Sequence, residues 1–198
     1  MHDTRLIIRD NFLSDPEKVR AEALAVGFED RTGPDGALYK HVQVRPLDEF
    51  NTALEKVLGV PVTQTLTMVR ANFAGEFPHN PVHSDQICSN FACVLYLNLP
   101  AQCQGGTAFW KHKGTGWDSL PSEKKLRSLG KSPKREYAKV EKDWSSQDAW
   151  EQTEVVEMRF NRLIAYPSRR FHSRWPWTAF GTTPDDVRLI WVSFFDAN

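Results

Sequence analysis

The sequence predicts an α+β protein: a two-sheet jelly-roll barrel braced on one side by N-terminal helices. Three observations predict it. Helical signals are gathered before about residue 60, the hydrophobic period then changes to that of a strand, and some eight short strand-like runs follow, each bounded by turn residues. With 198 residues, 40% hydrophobic and 25% charged, the chain suits one sizeable core, so a single domain over 1–198 is expected.

Taken in order, Ser14-Asp15-Pro16-Glu17 is a capping box with Pro in the first turn, and it opens an amphipathic helix that Gly27 ends. A second helix fits Leu47 to Leu58, stopped by Gly59 and Pro61. "QTLTMVRANF" alternates from Gln64 to Phe73, "NFACVLYLNL" reads as a buried strand from Asn90 to Leu99, and "GGTAFWKH" follows a short turn. The last strands are "TEVVEMRF", "NRLIAYP", "RRFHSRW" and "VRLIWVSFF". Between them, Lys111 to Asp143 carries ten basic residues against five acids, a local charge of +5 in a chain of net zero. Interrupted by Gly114, Gly116, Pro121, Gly130 and Pro133, with one short helical pattern near Ser119 to Leu129, it reads as a charged insertion or lid at about 111–152.

Composition also excludes classes. A net charge of zero removes the bulk electrostatic case for nucleic acid or an anionic membrane. There is no apolar run long enough for a membrane span, and "MHDTRLIIRDNF" has charges where an export signal has its apolar centre, so a cytoplasmic protein is expected. Cys88, Cys93 and Cys103 are odd in number and lack Cys-x-x-Cys spacing, which argues against a disulfide framework or a structural zinc site.

The chemistry centres on "NPVHSDQ", residues 80–86. With 6 His and 25 acids, a His-x-acid triplet arises roughly once by chance, so His83 and Asp85 need a third ligand and a scaffold. In a strand, residues two apart share a face, which lets both project inward while Ser84 points away. His79 with His83 would be a helical pair, but Pro78 and Pro81 break any helix there. The candidates for the third ligand are His112, beside the charged segment, and His172, within "RRFHSRW" and better placed. Two imidazoles and one carboxylate leave coordination positions open, which suits Fe(II) with a bidentate co-substrate and O2. Zinc more typically takes a closed tetrahedral set.

These residues carry a family resemblance. In order, "MVRANFAGEF", "HSD", "VLYLN", "GGTAFW", "NRLIAYPSRRFH" and "VRLIWVSFF" resemble the Fe(II)- and 2-oxoglutarate-dependent dioxygenases, within them the prolyl-4-hydroxylase-like branch. The match runs from Met68 to Phe195. The resemblance implies a double-stranded β-helix of cupin-like form and an oxidoreductase with iron and 2-oxoglutarate as cofactor and co-substrate. Its reaction would turn 2-oxoglutarate and O2 into succinate and carbon dioxide while hydroxylating an unactivated C–H bond. His83, Asp85 and His172 match the metal ligands, and Asp85 favours hydroxylation, since halogenating relatives carry a small residue there.

Arg188 matches the residue that grips the far carboxylate of 2-oxoglutarate, and Tyr96 a tyrosine bonded to the same group; a planar guanidinium suits a carboxylate removed from water. Fifteen residues separate His172 from Arg188, about twice the family's usual number, so Arg174, two after His172, stands as the alternative. Asn72 is a further candidate for co-substrate contact. Trp110, Trp175 and Trp177, with Arg169, Arg170 and Arg174, crowd the expected mouth. They suit a partly apolar substrate with an acidic group: an amino acid, a peptide or a small metabolite. The rival readings are a cupin-like metal enzyme that does not use 2-oxoglutarate and a non-catalytic binding protein on the same scaffold.

Overall fold

The computed structural model describes residues 6–33, 36, 38–44, 48–78, 80–85 and 88–197. Strand β1 (Ile7–Arg9) precedes helix α1 (Pro16–Val26), capped by Asp15, which accepts from the Lys18 amide, rather than by the Ser14–Glu17 capping box expected; the Ser14 hydroxyl donates instead to Glu49 at 2.7 Å. Gly27 ends the helix at φ 78°, a conformation few other residues adopt. The hairpin β2 (Glu29–Thr32) and β3 (Leu38–Val44) leads to α2 (Asp48–Leu58); Leu47, the expected start of that helix, lies outside the described residues. Then come β4 (Val62–Asn72), β5 (Phe91–Tyr96) and β6 (Gly106–His112). Helices α3 (Glu123–Ser128) and α4 (Pro133–Glu141) follow, then β7 (Trp150–Glu157), β8 (Leu163–Pro167), β9 (His172–Trp175) and β10 (Arg188–Ala197). The additional strands are β1, β2 and β3; β2 is exposed at all four positions, so it has no apolar alternation to read.

The strands form two antiparallel sheets, one ordered β1-β8-β5-β10-β4-β3-β2 and the other β7-β6-β9. Among the described residues these are open ladders rather than the closed barrel expected. The side-chain alternation of the central strands sorts the core. Ala92, Val94 and Tyr96 of β5 and Ile190 and Phe194 of β10 meet Phe109 and Val156 of the small sheet. The opposite face of the same strands presents Cys93, Leu95, Leu189, Trp191 and Phe195 to Val19 and Ala23 of α1 and Phe50 and Leu54 of α2, with Phe50 stacked on Trp191 at 5.8 Å. Covered on both faces, β5 and β10 read as continuous apolar runs.

Two register shifts alter that alternation. Leu66 pairs with Phe194 and Gln64 with Phe195, which leaves Thr65 as an extra residue in β4. Phe109 pairs with Glu154 and Trp110 with Gln152, so Thr153 is extra in β7. Val156 consequently faces the inter-sheet core while Trp150, also even-numbered, faces the other side of the small sheet. The "GG" entering β6 is needed for backbone clearance: a Cβ on Gly105 would lie 1.8 Å from the Trp175 carbonyl oxygen, and one on Gly106 2.0 Å from that of Val156.

The charged segment has more structure than its sequence pattern predicts. Leu120, Leu126 of α3 and Val140 of α4 are buried with Trp110, Trp150 and Phe171 on the outer face of the small sheet. Its lysines point outward and, Leu129 apart, its large apolar residues inward, so the average charge hides a second, sparse pattern. No described helix is long and apolar enough to cross a membrane.

Candidate metal centre

His83 and His172 are joined across the chain by reciprocal backbone bonds of 3.0 Å each, an isolated antiparallel bridge rather than the strand expected around His83. Pro81 lacks an amide hydrogen and limits pairing before it. Just beyond, the Asp85 amide donates to the Ser168 carbonyl at 2.7 Å. Those contacts tie the His83–Asp85 stretch to β9 and its approach, and His172 is the first residue of β9 rather than its centre.

The side chains converge accordingly. Ligand atoms of His83, Asp85 and His172 all lie within 4.8 Å of one another. His172 Nε2 is 3.1 Å from one Asp85 carboxylate oxygen and His83 Nε2 is 3.7 Å from the other. His83 Nδ1 faces the Pro81 carbonyl at 3.2 Å and His172 Nδ1 the Arg170 carbonyl at 3.0 Å. A carbonyl only accepts, so each Nδ1 carries a proton and each ring presents its Nε2 edge toward Asp85. Burial, and next the neighbouring His172, push His83 down to about 4, which keeps it neutral near pH 7. Burial raises the Asp85 carboxyl, but His172, His83 and Arg70 together hold it below its ordinary value. Two oriented imidazoles and an ionised carboxylate fit a divalent metal with open positions. His112 is elsewhere: buried on the outer face of the small sheet, it bonds Thr115 at 2.9 Å and Asp143 at 3.1 Å. His79 lies outside the described residues.

The three ligands open into a cavity of about 320 Å³ between the sheets. Arg188, Asn72 and Arg174 line it too. Arg188 is 4% exposed, and its Nη1 donates to Asn72 Oδ1 at 3.1 Å. Its Nε and the Asn72 Nδ2 have no partner, and among the described residues no carboxylate pairs with Arg188. Burial pulls Arg188 down to about 10. Tyr96 is fully buried and does not itself line the cavity; its hydroxyl is 2.7 Å from that of Thr107, which does. Arg174 is anchored by bonds to the carbonyls of Trp177 and Glu76.

Other predicted contacts fall away from this cavity. Strand alternation turns the side chains of His172 and Arg174 inward and those of Ser173 and Trp175 outward, Ser173 still forming part of the cavity wall, and Trp110 donates to Ser173 at 2.9 Å on the outer face. Trp110, Trp175 and Trp177 pack edge to face with one another around Trp110, at 5.8 and 5.9 Å. Arg170 pairs with Glu154 at 2.8 Å and lies over the Phe109 ring. Nearness in sequence grouped these residues, whereas the alternation along β6 and β9 separates them. None of residues 111–152 lines the cavity either; its rim includes Thr32 and Tyr39 of the β2–β3 hairpin. Sequence reasoning missed Arg70 and Thr107 as lining residues, although the alternation Met68, Arg70, Asn72 already put Arg70 on the inner face.

A family model described as a family of unknown function, DUF6445, matches residues 1–194. This chain belongs to DUF6445. No curated protein matches it. Among solved structures, the DUF6445 chain is similar to the non-heme alpha-ketoglutarate-dependent carbocyclase SnoK from nogalamycin biosynthesis, with a TM-score of 0.56 and 15% identity over 97% of this chain and 80% of that one. AviO1 from Streptomyces viridochromogenes Tue57 superposes with a TM-score of 0.55 and 13% identity, covering 100% of this chain and 91% of that one. The epimerase SnoN in complex with Fe3+, alpha ketoglutarate and nogalamycin RO gives 0.54 and 14%, covering 98% and 79%. At these identities the likeness shows the fold alone, which this chain shares with solved 2-oxoglutarate–Fe(II) oxygenases.

Proposed function

We propose that this DUF6445 protein is a non-haem Fe(II)- and 2-oxoglutarate-dependent oxygenase that hydroxylates an unactivated C–H bond of a small molecule. The observation that carries the reading is the convergence, in one cavity, of His83, Asp85 and His172 with a buried guanidinium, Arg188, that has no carboxylate partner among the described residues. A buried cation without a counter-ion is costly, and an anionic ligand removes that cost. Placement within the prolyl-4-hydroxylase-like branch rests on the order of the sequence motifs alone.

His83 and His172 would hold the iron through Nε2 and Asp85 through a carboxylate oxygen. With 2-oxoglutarate and O2 the iron supplies the oxidising chemistry, the co-substrate leaving as succinate and carbon dioxide and one oxygen atom passing to the substrate. Arg188 grips the distal carboxylate of 2-oxoglutarate, Asn72 steadies the guanidinium through its Oδ1, and the partnerless Asn72 Nδ2 is available as a further donor. Tyr96 acts through Thr107, holding that hydroxyl toward the same carboxylate. The apolar lining around them excludes water, which strengthens each charge-assisted bond.

An anaerobic titration tests the reading. Addition of 2-oxoglutarate to the Fe(II)-loaded protein is expected to raise the weak visible charge-transfer band of an iron chelate, with one equivalent at saturation. Stoichiometric iron binding with no such band at millimolar 2-oxoglutarate would overturn it in favour of a cupin-like metal enzyme.

A further inference from the structure

The cavity holds more positive charge than the co-substrate can use. Arg70, Arg174 and Arg188 all line it, against the single carboxylate of Asp85 among the described lining residues. Arg31, at the rim, is paired with Glu29. The Glu76 carboxylate, 2.8 Å from His41 and 3.2 Å from the Phe73 amide, is a second negative charge near Arg70 and Arg174, which leaves one guanidinium in excess. A divalent metal and a dianionic 2-oxoglutarate cancel each other and leave the surplus of guanidinium charge in place.

The three arginines are not equivalent. Arg188 is bonded to Asn72, and Arg174 has spent its Nε and one Nη on the backbone carbonyls of Trp177 and Glu76. The Arg70 side chain makes no hydrogen bond to any described residue: its Nε is buried without a partner, and its guanidinium carbon lies 5.4 Å from the centre of the Tyr39 ring. It is on the inner face of β4, two residues before Asn72, and its charge is among those that lower the Asp85 carboxyl. Beside it the wall is apolar, formed by Leu66, Met68, Val192 and Phe194.

We propose that Arg70 is the receptor for an acidic group on the primary substrate, and that this substrate is a small apolar carboxylic acid whose body lies along the Leu66–Met68–Val192 wall. The proposal rests on the oxygenase reading for the metal and co-substrate that share the cavity. One planar fork with a free edge matches one carboxylate bidentately. A volume of about 320 Å³, at the small end for ligand pockets, favours a small molecule over a peptide.

The test compares acids with their amides: hexanoate with hexanamide, and 3-phenylpropanoate with 3-phenylpropanamide. Binding to the Mn(II)-loaded protein, with and without 2-oxoglutarate, is read by paramagnetic broadening of the ligand's proton resonances. Each acid is expected to bind at least tenfold more tightly than its amide, and Arg70→Gln is expected to erase the difference while Mn(II) stoichiometry and 2-oxoglutarate affinity stay within twofold of wild type. Amides that match acids on the wild-type protein, or an acid preference that survives Arg70→Gln, would overturn the proposal. So would loss of 2-oxoglutarate binding in Arg70→Gln with metal retained, since Arg70 would then belong to the co-substrate. Should Arg70→Gln lose its metal stoichiometry through misfolding, Arg70→Lys decides: it keeps the charge but not the fork, and the acid preference should fall at least threefold. If the wild type fails to bind 2-oxoglutarate, the oxygenase reading falls, and the dependence of the acid preference on Arg70 still decides this one.

Discussion

His172 and His112 are both buried histidines with a carboxylate within 3.1 Å, yet their partners assign them different work. His172 spends Nδ1 on a backbone carbonyl and keeps Nε2 for the site, whereas both ring nitrogens of His112 are committed to Thr115 and Asp143. His172→Ala should therefore abolish stoichiometric Fe(II) or Mn(II) binding. His112→Ala should leave metal binding intact and instead lower stability by about 1–3 kcal/mol, the loss of two hydrogen bonds to half-buried partners, as read by urea denaturation. Arg188→Met should weaken 2-oxoglutarate by at least tenfold, about 1.4 kcal/mol, with metal retained; an unchanged constant beside a large effect of Arg174→Met would transfer the role. The thiols divide in the same way. Burial pushes Cys93 up to about 12, so at pH 8 it should resist alkylation until the protein unfolds, while Cys88 at the cavity wall should react first, as peptide mapping would show. The ligand triad was legible because His-x-Asp and a later histidine carry their chemistry in their identities. Arg70 was not singled out, although it shares a strand face with Asn72, because alternation gives a side chain's face and not what it meets there.

At the scale of elements, β5 and β10 were readable from their apolar runs and α1 from its capping residues, since each signal is local. The β2–β3 hairpin was not, because β2 is exposed throughout and β3 buries only Val42 and Gln43. The basic segment was half legible: its charge is real, but the burial of Leu126 and Val140 depends on the bare outer face of a sheet built from strands on either side of it in the chain. That observation reverses the outcome expected of a loose cover. Leu126→Ala should destabilise the protein by about 2–5 kcal/mol in urea denaturation, in the range for a buried leucine. An unchanged midpoint would return the segment to the role of a solvated cover.

The molecule as a whole is layered: helices, the large sheet, the inter-sheet core, the small sheet, and the basic helices on its outer face. The metal ligands come from an irregular stretch and from β9, so a bound ion would staple the one to the other. Metal at a hundred times its Kd contributes about 2.7 kcal/mol, which for a chain of this length raises Tm by roughly 5–10 °C. Differential scanning calorimetry should show that rise with Mn(II) in the wild type and none in His172→Ala. One consequence of the layering sits at Thr153. Even-numbered side chains of β7 face outward before this residue and inward after it, so here the chain counts residues instead of reading them. Thr153→Ala forfeits a single bond to the Phe109 carbonyl, about 1 kcal/mol. Deleting the residue keeps every other side chain and yet sends either Trp150 or Val156 to the wrong layer, so this strand tolerates misspelling far better than a missing letter.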